Sequence, residues 1–150
     1  MPNGKTHAVV GTASGGVAAF CLALRDGNGS PVVESIGGAI GGYVGGKLPD
    51  LLEPSRGNPR HRSHCHSWAA LGLNAGAAAK WLEEIQPDLR VRAHQHKERS
   101  ARADGWPGAA WHWVLHALIM LASGLVAGLM AGVASHLVMD AGTRAGLQPL

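Results

Sequence analysis

The sequence predicts an all-α protein, a compact bundle of glycine- and alanine-rich helices with a metal site at one end. Glycine accounts for 22 of the 150 residues and hydrophobic residues for 46%, while aromatic residues are few. This composition is typical of closely packed helices. Strand-like alternation of apolar and polar residues is hard to find along the chain. Histidines and carboxylates follow the glycine-rich segments at the four-residue spacing of a helix face.

Length, charge and cysteine content narrow the class of protein. A chain of 150 residues is long enough for one domain with its own core, and we expect a single domain covering residues 1–150. The formal net charge of +3 permits attraction to anionic lipid or phosphate without requiring it. Cys21 and Cys65 form no CxxC motif, so we expect no dependence on a disulfide. Cys65 lies among histidines and is a weaker candidate ligand.

The first predicted helix covers residues 6–24. It contains a row of residues four apart that starts at His7 and continues through Gly11 and Gly15. Each glycine inside a helix costs about 1 kcal/mol relative to alanine. A helix accepts this cost where another backbone must come close. The row that begins at His7 is therefore expected to face a neighbouring helix.

The second predicted helix covers residues 31–47, with Ser30 as its N-cap and Pro31 at its first position. Apolar residues at helical spacing argue against a flexible linker here. Pro49 is expected to end the helix, which places Asp50 just beyond its C-terminus. Pairs of glycines recur every four residues: Gly37-Gly38, Gly41-Gly42 and Gly45-Gly46.

Residues 48–67 are predicted to form a proline-braced loop that presents metal ligands and enters a helix near Ser67. Its three prolines exclude a continuous helix. Imidazole and carboxylate groups together are the ligand set of zinc, manganese and iron. A single histidine is more commonly a surface or packed residue, but three within six positions favour a metal site. The candidate ligands are Asp50, Glu53, His61, His64 and His66.

Residues 67–85 are predicted to form a third helix, which Pro87 ends. Residues 88–104, which include Arg90, are polar and basic, and we interpret them as a solvated helix or excursion. His94 and His96 lie in this segment and are interpreted as surface residues. Nucleic-acid binding through it is a weaker hypothesis, because no aromatic residue stands between the basic ones.

The longest predicted helix follows Trp106 and reaches about residue 141. Residues 117–135 contain neither charged residues nor histidine, and about 20 such residues span a bilayer. Three glycines lead at a four-residue step to His136 and Asp140, so these two side chains project from one helix face. The glycines are Gly124, Gly128 and Gly132.

A second histidine pair, His112 and His116, also stands four residues apart on this helix. His136 lies twenty positions beyond His116, which is about 30 Å along a continuous helix. One metal site cannot contain both pairs. We choose His136 with Asp140 as ligands and interpret the other pair as packing or interface residues.

Five short motifs resemble, in their order along the chain, those of the YdjM-type membrane-bound metal-dependent hydrolases: THAVVG at 6–11, LPD at 48–50, HR at 61–62, HS at 66–67 and SHLVMDAGTRAGL at 135–147. This family is grouped with zinc-dependent phospholipase C and single-strand nucleases, which are all-helical and use clustered zinc ions. The resemblance implies a location at the bacterial inner membrane. It also implies a set of metal ligands: His7, Asp50, His61, His66, His136 and Asp140.

One position departs from the family, in which a second acid often follows the LPD aspartate by two positions. Leu52 occupies that position here, and Glu53 is the candidate to replace the acid. We expect a hydrolase that cleaves a phosphoester of a lipid or nucleotide and depends on a divalent metal. Zinc is the first choice of metal, and the prediction includes either one ion or two. Arg62, or Arg60, would hold the phosphate's charge, while Glu53 or His64 would carry protons.

The alternative function is a membrane-associated, partner-binding protein without enzymatic activity, whose metal only ties helix ends together. An open site favours hydrolysis, whereas a saturated buried site favours this structural role. We expect the site at or near a membrane interface, since charged groups are costly at bilayer depth. Membrane lipid and a phosphoester are the expected partners, while a homo-oligomer and a cytoplasmic location are left open.

Overall fold

The computed structural model is all-α, which confirms the predicted fold class. It describes residues 4–54, 64–143 and 147, and no strand occurs among them. A π-helical turn at Trp81–Ile85 separates the fourth and fifth α-helices. Six α-helices follow one another along the described chain: α1 Gly4–Asp26, α2 Pro31–Gly45, α3 Leu48–Leu52, α4 Trp68–Lys80, α5 Gln86–Arg102 and α6 Trp106–Ala141.

The centre of the bundle consists of α1, α2 and α6, which meet along their glycine rows. A Cβ atom added to Gly15 would lie 2.7 Å from the Cα of Gly42 and 3.1 Å from the Cα of Gly128. Gly132 lies equally close to Gly42. Only glycine allows backbones to approach this closely. The predicted glycine rows are therefore confirmed as helix contacts, with α1 antiparallel to both other helices.

The chain around Pro87 differs from the prediction. Pro87 does not end a helix, because the backbone stays helical from Trp68 to Arg102 through the π-helical turn. Pro87 lies in the first turn of α5, where a missing N–H is tolerated. The wider π turn before it changes the helical register. The predicted helix start is confirmed, because the Ser67 hydroxyl accepts a hydrogen bond of 3.0 Å from the N–H of Ala70.

The segment around Asp50 is also more ordered than predicted. Helix α2 ends at Gly45, two residues before the predicted end at Lys47. Pro49 lies in the first turn of a separate short helix, α3, instead of ending α2. Asp50 is part of α3, so its carboxylate is positioned by helical backbone rather than by an extended loop.

Arg90 is buried, which corrects its interpretation as part of a solvated basic segment. Its Nε and Nη2 atoms donate to the two carboxylate oxygens of Glu34 at 3.2 and 2.8 Å, and Nη1 donates to Asp26 at 2.5 Å. Ser123 donates to Glu34 at 3.0 Å. Burial alone would lower the pKa of Arg90, but its hydrogen bonds to Glu34 and Asp26 raise the pKa above its ordinary value. This network fastens α5 to α1, α2 and α6.

Replacement of Arg90 by methionine is expected to lower the free energy of unfolding by about 3–5 kcal/mol, because Glu34 would remain buried without its counter-ion. Thermal or denaturant unfolding of the purified protein measures this. Arg92→Met is the control, since Arg92 is exposed on the same helix and pairs with Asp88. Equal stability of the two variants would contradict a role for the buried network.

Apolar side chains cover much of the outside of the bundle. On α2, Val32, Ile36 and Ile40 form an i, i+4 row with 66%, 53% and 50% of their surface exposed. Two helices, Gly4–Asp26 and Trp106–Ala141, are long and apolar enough to cross a membrane. Only 33% of the apolar window of each is buried inside the protein. Their outer faces are therefore available to lipid or to another apolar surface.

Candidate metal centre

Two histidine rings face each other at one end of the bundle. His66 immediately precedes the N-cap of α4, and His136 lies in the last part of α6. Their Nε2 atoms are 3.2 Å apart, and both side chains are fully buried. Since the two residues are 70 positions apart in sequence, the packing of the bundle brings them together.

The other nitrogen of each ring is held by a hydrogen-bond acceptor. His136 Nδ1 lies 2.7 Å from the carbonyl oxygen of Gly46, and His66 Nδ1 lies 3.1 Å from Oε2 of Glu53. A carbonyl only accepts, so His136 carries its proton on Nδ1, and we assign His66 likewise. Both Nε2 atoms then present lone pairs to the space between the rings. This is the arrangement of metal-binding histidines whose outer nitrogens are fixed by acceptors.

Two carboxylates complete the centre. Oδ2 of Asp140 lies 3.6 Å from His66 Nε2 and 3.5 Å from His136 Nε2. Oδ1 of Asp50 lies 3.4 and 3.6 Å from the same two nitrogens. Two ligand atoms about 2.0–2.1 Å from one tetrahedral zinc ion are about 3.3–3.4 Å apart. Each carboxylate therefore makes, with the two imidazoles, a triangle of the size that a metal ion requires.

His7 joins the same cluster from α1. Its ring stacks on that of His136 with 3.8 Å between centroids, and its Nε2 lies 3.5 Å from Oδ1 of Asp140. Two groups of three residues could hold a metal ion: His7, Asp50 and His136, and His66, His136 and Asp140. Both groups contain His136, whose Nδ1 bonds to Gly46. One imidazole nitrogen binds one ion, so these described residues provide for one ion at a time.

The centre is closed on the helix side and open at Asp50. The side chains of His66, His136 and Asp140 are inaccessible to solvent, whereas 39% of the Asp50 side chain is exposed. When Nε2 of His66 carries a proton, its hydrogen bond to Asp50 lowers the pKa of that carboxyl group below its ordinary value, although partial burial acts in the opposite direction. The carboxylate at the open edge therefore stays ionised at neutral pH.

Glu53 is ionised as well. Burial alone would raise the pKa of Glu53, but hydrogen bonds from His66 and from the backbone N–H groups of Cys65 and His64 lower it below its ordinary value. The N–H of His64 lies 2.8 Å from Oε1. An ionised Glu53 can orient the His66 ring and increase its basicity toward a metal.

Replacement of Glu53 by glutamine is expected to weaken metal affinity by about 10–100-fold, the usual cost of losing an acceptor behind a metal-binding histidine. Competition with a chromophoric chelator measures the affinity. Glu84→Gln is the matched control, because Glu84 is exposed on the π-helical turn and pairs with Lys80. An unchanged affinity in Glu53→Gln would show that His66 needs no such support.

The structure brings together five of the six ligands implied by the family resemblance. His61 lies outside the described residues, as do Arg60 and Arg62, the candidates for holding phosphate. His64 is exposed, and its backbone N–H contacts Glu53. The five that converge are His7, Asp50, His66, His136 and Asp140.

Sequence reasoning missed two parts of the centre. It offered Glu53 as a proton carrier, but its carboxylate contacts the outer nitrogen of His66. The role of the Gly46 carbonyl could not be predicted from the sequence, because every residue type carries a backbone carbonyl. Cys65 is a free, partly buried thiol and belongs to neither ligand group.

The remaining histidines lie toward the other end of α6. His116 donates from Nδ1 to the carbonyl of Ala93 at 3.0 Å, consistent with the predicted packing role. The Nδ1 atoms of His96 and His112 are 3.1 Å apart, and His96 is half-buried at the surface. His94 is half exposed, as expected.

Comparisons of the chain with models of known protein families, with curated proteins and with solved structures gave no match.

Proposed function

We propose that the chain is a membrane-associated, metal-dependent hydrolase of the YdjM type that cleaves a phosphoester. One observation carries this proposal: two imidazole Nε2 atoms, on rings whose Nδ1 atoms are held by acceptors, face each other beside two carboxylates at ligand spacing. The order of the short motifs along the chain supports the family assignment independently of this geometry.

Zinc is the metal that this donor set suits best. Two imidazole nitrogens with carboxylate oxygens are a common ligand set of catalytic zinc. A bound zinc ion supplies a Lewis acid that lowers the pKa of water near neutrality and polarises a phosphoryl oxygen. The described residues support one ion, and a second would require further ligands such as His61.

The openness of the site at Asp50 favours catalysis over a purely structural metal. Among the described members of the cluster, Asp50 is the exposed one, so we place the entry of water and substrate beside it. An ionised carboxylate at this edge can accept a proton from attacking water. Glu53 fixes the orientation of His66 during the reaction. We assign Arg62 to phosphate binding and His64 to proton transfer, as the sequence predicts.

The exposed apolar faces support membrane association. Val17, Phe20 and Leu24 on α1 are exposed apolar side chains, as are those of the row on α2. The metal centre lies at one end of α6. The exposed Trp106, Trp111 and Trp113 lie toward the other end. Polar groups at one end and apolar faces between suit a bundle embedded with its metal centre near an interface. Recovery in the supernatant after ultracentrifugation without detergent, as a monodisperse species, would contradict embedding.

Metal analysis and a phosphoester panel test the proposed activity. The protein, purified without chelators, is expected to contain zinc and to hydrolyse at least one lipid or nucleotide phosphoester, with loss of activity on chelation and recovery on adding zinc. Bound metal without hydrolysis of any substrate would favour the partner-binding alternative with a structural metal. Absence of metal at saturating zinc would overturn both functions.

A further inference from the structure

An apolar groove runs between α4 and the faces of α1 and α6, and none of the candidate metal ligands lines it. Its volume is about 230 Å³, and its walls consist mainly of small apolar side chains. Trp81 and Leu82 line it at the end nearest α5. The amide of Asn74, also in the lining, already donates to the carbonyl of Met130 at 3.1 Å. The groove therefore offers an almost purely apolar surface.

The groove forms because α4 does not pack closely against the rest of the bundle. None of the thirteen residues of α4, all of them described, is buried. The alanines that face α6, such as Ala75 and Ala78, are too short to close the gap. Gly72 and Gly76 have no described atom within 4 Å of an added Cβ, unlike the glycines of the rows where α1, α2 and α6 meet. An apolar gap of this kind is a poor site for water, which needs polar partners.

A polar cavity of about 550 Å³ continues the groove past Leu22 and Leu82, which line both. Its wall contains Arg25 and Glu83, which are both exposed and form no ion pair within the described residues. Arg90 and Asp26 also line this cavity, but they are paired with each other, and Arg90 also binds Glu34, so neither presents a free charged group to the cavity. The cavity thus offers one available cation and one available anion.

We propose that the groove and the polar cavity together bind one membrane phospholipid with a zwitterionic head group. One acyl chain occupies the apolar groove, the phosphate lies against Arg25, and the ammonium lies against Glu83. The inference goes beyond the proposed hydrolytic function, because this site is separate from the metal centre. Charge complementarity at the polar end and an apolar lining along the rest identify the occupant's chemistry.

The dimensions of the groove match one leaflet of a bilayer. From Leu71 to Leu82 the lining spans eleven residue steps, or about 16 Å of helix. Half of a hydrocarbon core about 30 Å thick is about 15 Å. Arg25 lies at the end of α1, beside the turn into α2, where a head group would reach the interface. The bound lipid would therefore lie parallel to the helices, as lipids of the surrounding leaflet do.

Phospholipid retained by the detergent-purified protein after extensive washing tests the acyl-chain site. Native mass spectrometry should find about one phospholipid per wild-type chain, the stoichiometry of a single pocket. Ala78→Trp should lower its retention at least about tenfold, because the indole fills the groove. Ala77→Trp, one residue along on the exposed face of α4, is the matched control and should retain the lipid.

A second pair of variants probes the opposite wall. Ala131→Phe lies in the groove and should also lose the lipid, whereas Ala122→Phe is exposed elsewhere on α6 and should keep it. Zinc content is measured in all variants, and retention is repeated after chelation. Unchanged zinc content shows an intact fold, and lipid loss independent of chelation separates this site from the metal centre.

Two further variants test the proposed head-group contacts. Arg25→Gln and Glu83→Gln should each reduce retention of zwitterionic phospholipid, with Lys80→Gln as an exposed control. Equal retention in Ala78→Trp and Ala77→Trp would overturn the proposal. So would a wild-type protein that retains only detergent or a fatty acid, or that retains anionic phospholipid in preference to zwitterionic phospholipid.

Discussion

Replacement of His136 by alanine is expected to remove the bound metal and to reduce hydrolysis to the background rate. His136 belongs to both groups of three residues that could hold an ion, so its loss leaves neither group complete. Its Nε2 lies within 3.6 Å of ligand atoms from α3, α6 and the segment before α4. Elemental analysis and phosphoester hydrolysis of the purified variant, at matched zinc concentrations, measure the two effects.

His116→Ala is the control for this substitution. Both histidines lie on α6 and donate from Nδ1 to a backbone carbonyl, Gly46 in one case and Ala93 in the other. Both variants remove this side-chain donor, and a typical hydrogen bond contributes about 0.5–1.5 kcal/mol to stability. Only His136→Ala should lose zinc. A full zinc complement in His136→Ala would refute the assignment of this cluster as the metal centre.

The sequence predicted the convergence of the metal centre because helix geometry leaves few choices. Once His136 and Asp140 lie on the glycine row of α6, and His7 on that of α1, contact between the rows brings their ends together. The positions of the glycines determine the register in which the helices pack. The predicted addition of Asp50 and His66 to the cluster depends on the resemblance to the YdjM type, and in the structure these two side chains lie in contact at that end.

The Arg90 network could not be predicted in this way. Arg90 and Glu34 are 56 positions apart, and neither stands in a motif. Within its own segment Arg90 is one of several basic residues, and composition alone predicts that all of them face water. Only the packing of α5 on α6 distinguishes it from the exposed Arg92. Pro87 was also misinterpreted, because proline is tolerated in the first turn of a helix as well as after the end of one.

Replacement of Gly128 by alanine, the smallest added side chain, is expected to lower the free energy of unfolding by at least about 3 kcal/mol, at the upper end of overpacking costs. A Cβ on Gly128 would lie 2.5 Å from the Cα of Gly38, well inside the limit for real contacts. The clash is with backbone, so no rotamer change can relieve it, and α2 and α6 must separate.

Gly76→Ala makes the same chemical change in α4 and should have the opposite effect. No described atom lies within 4 Å of a Cβ at Gly76, so only the helix propensity changes, and the substitution should stabilise the protein by about 0.5–1 kcal/mol. Thermal unfolding in detergent, followed by circular dichroism, compares the two variants with the wild type. Separation of α2 from α6 also moves the Gly46 carbonyl away from His136, so Gly128→Ala should weaken zinc binding as well. A Gly128→Ala protein as stable as Gly76→Ala would show that the backbones are farther apart than their glycine contacts indicate.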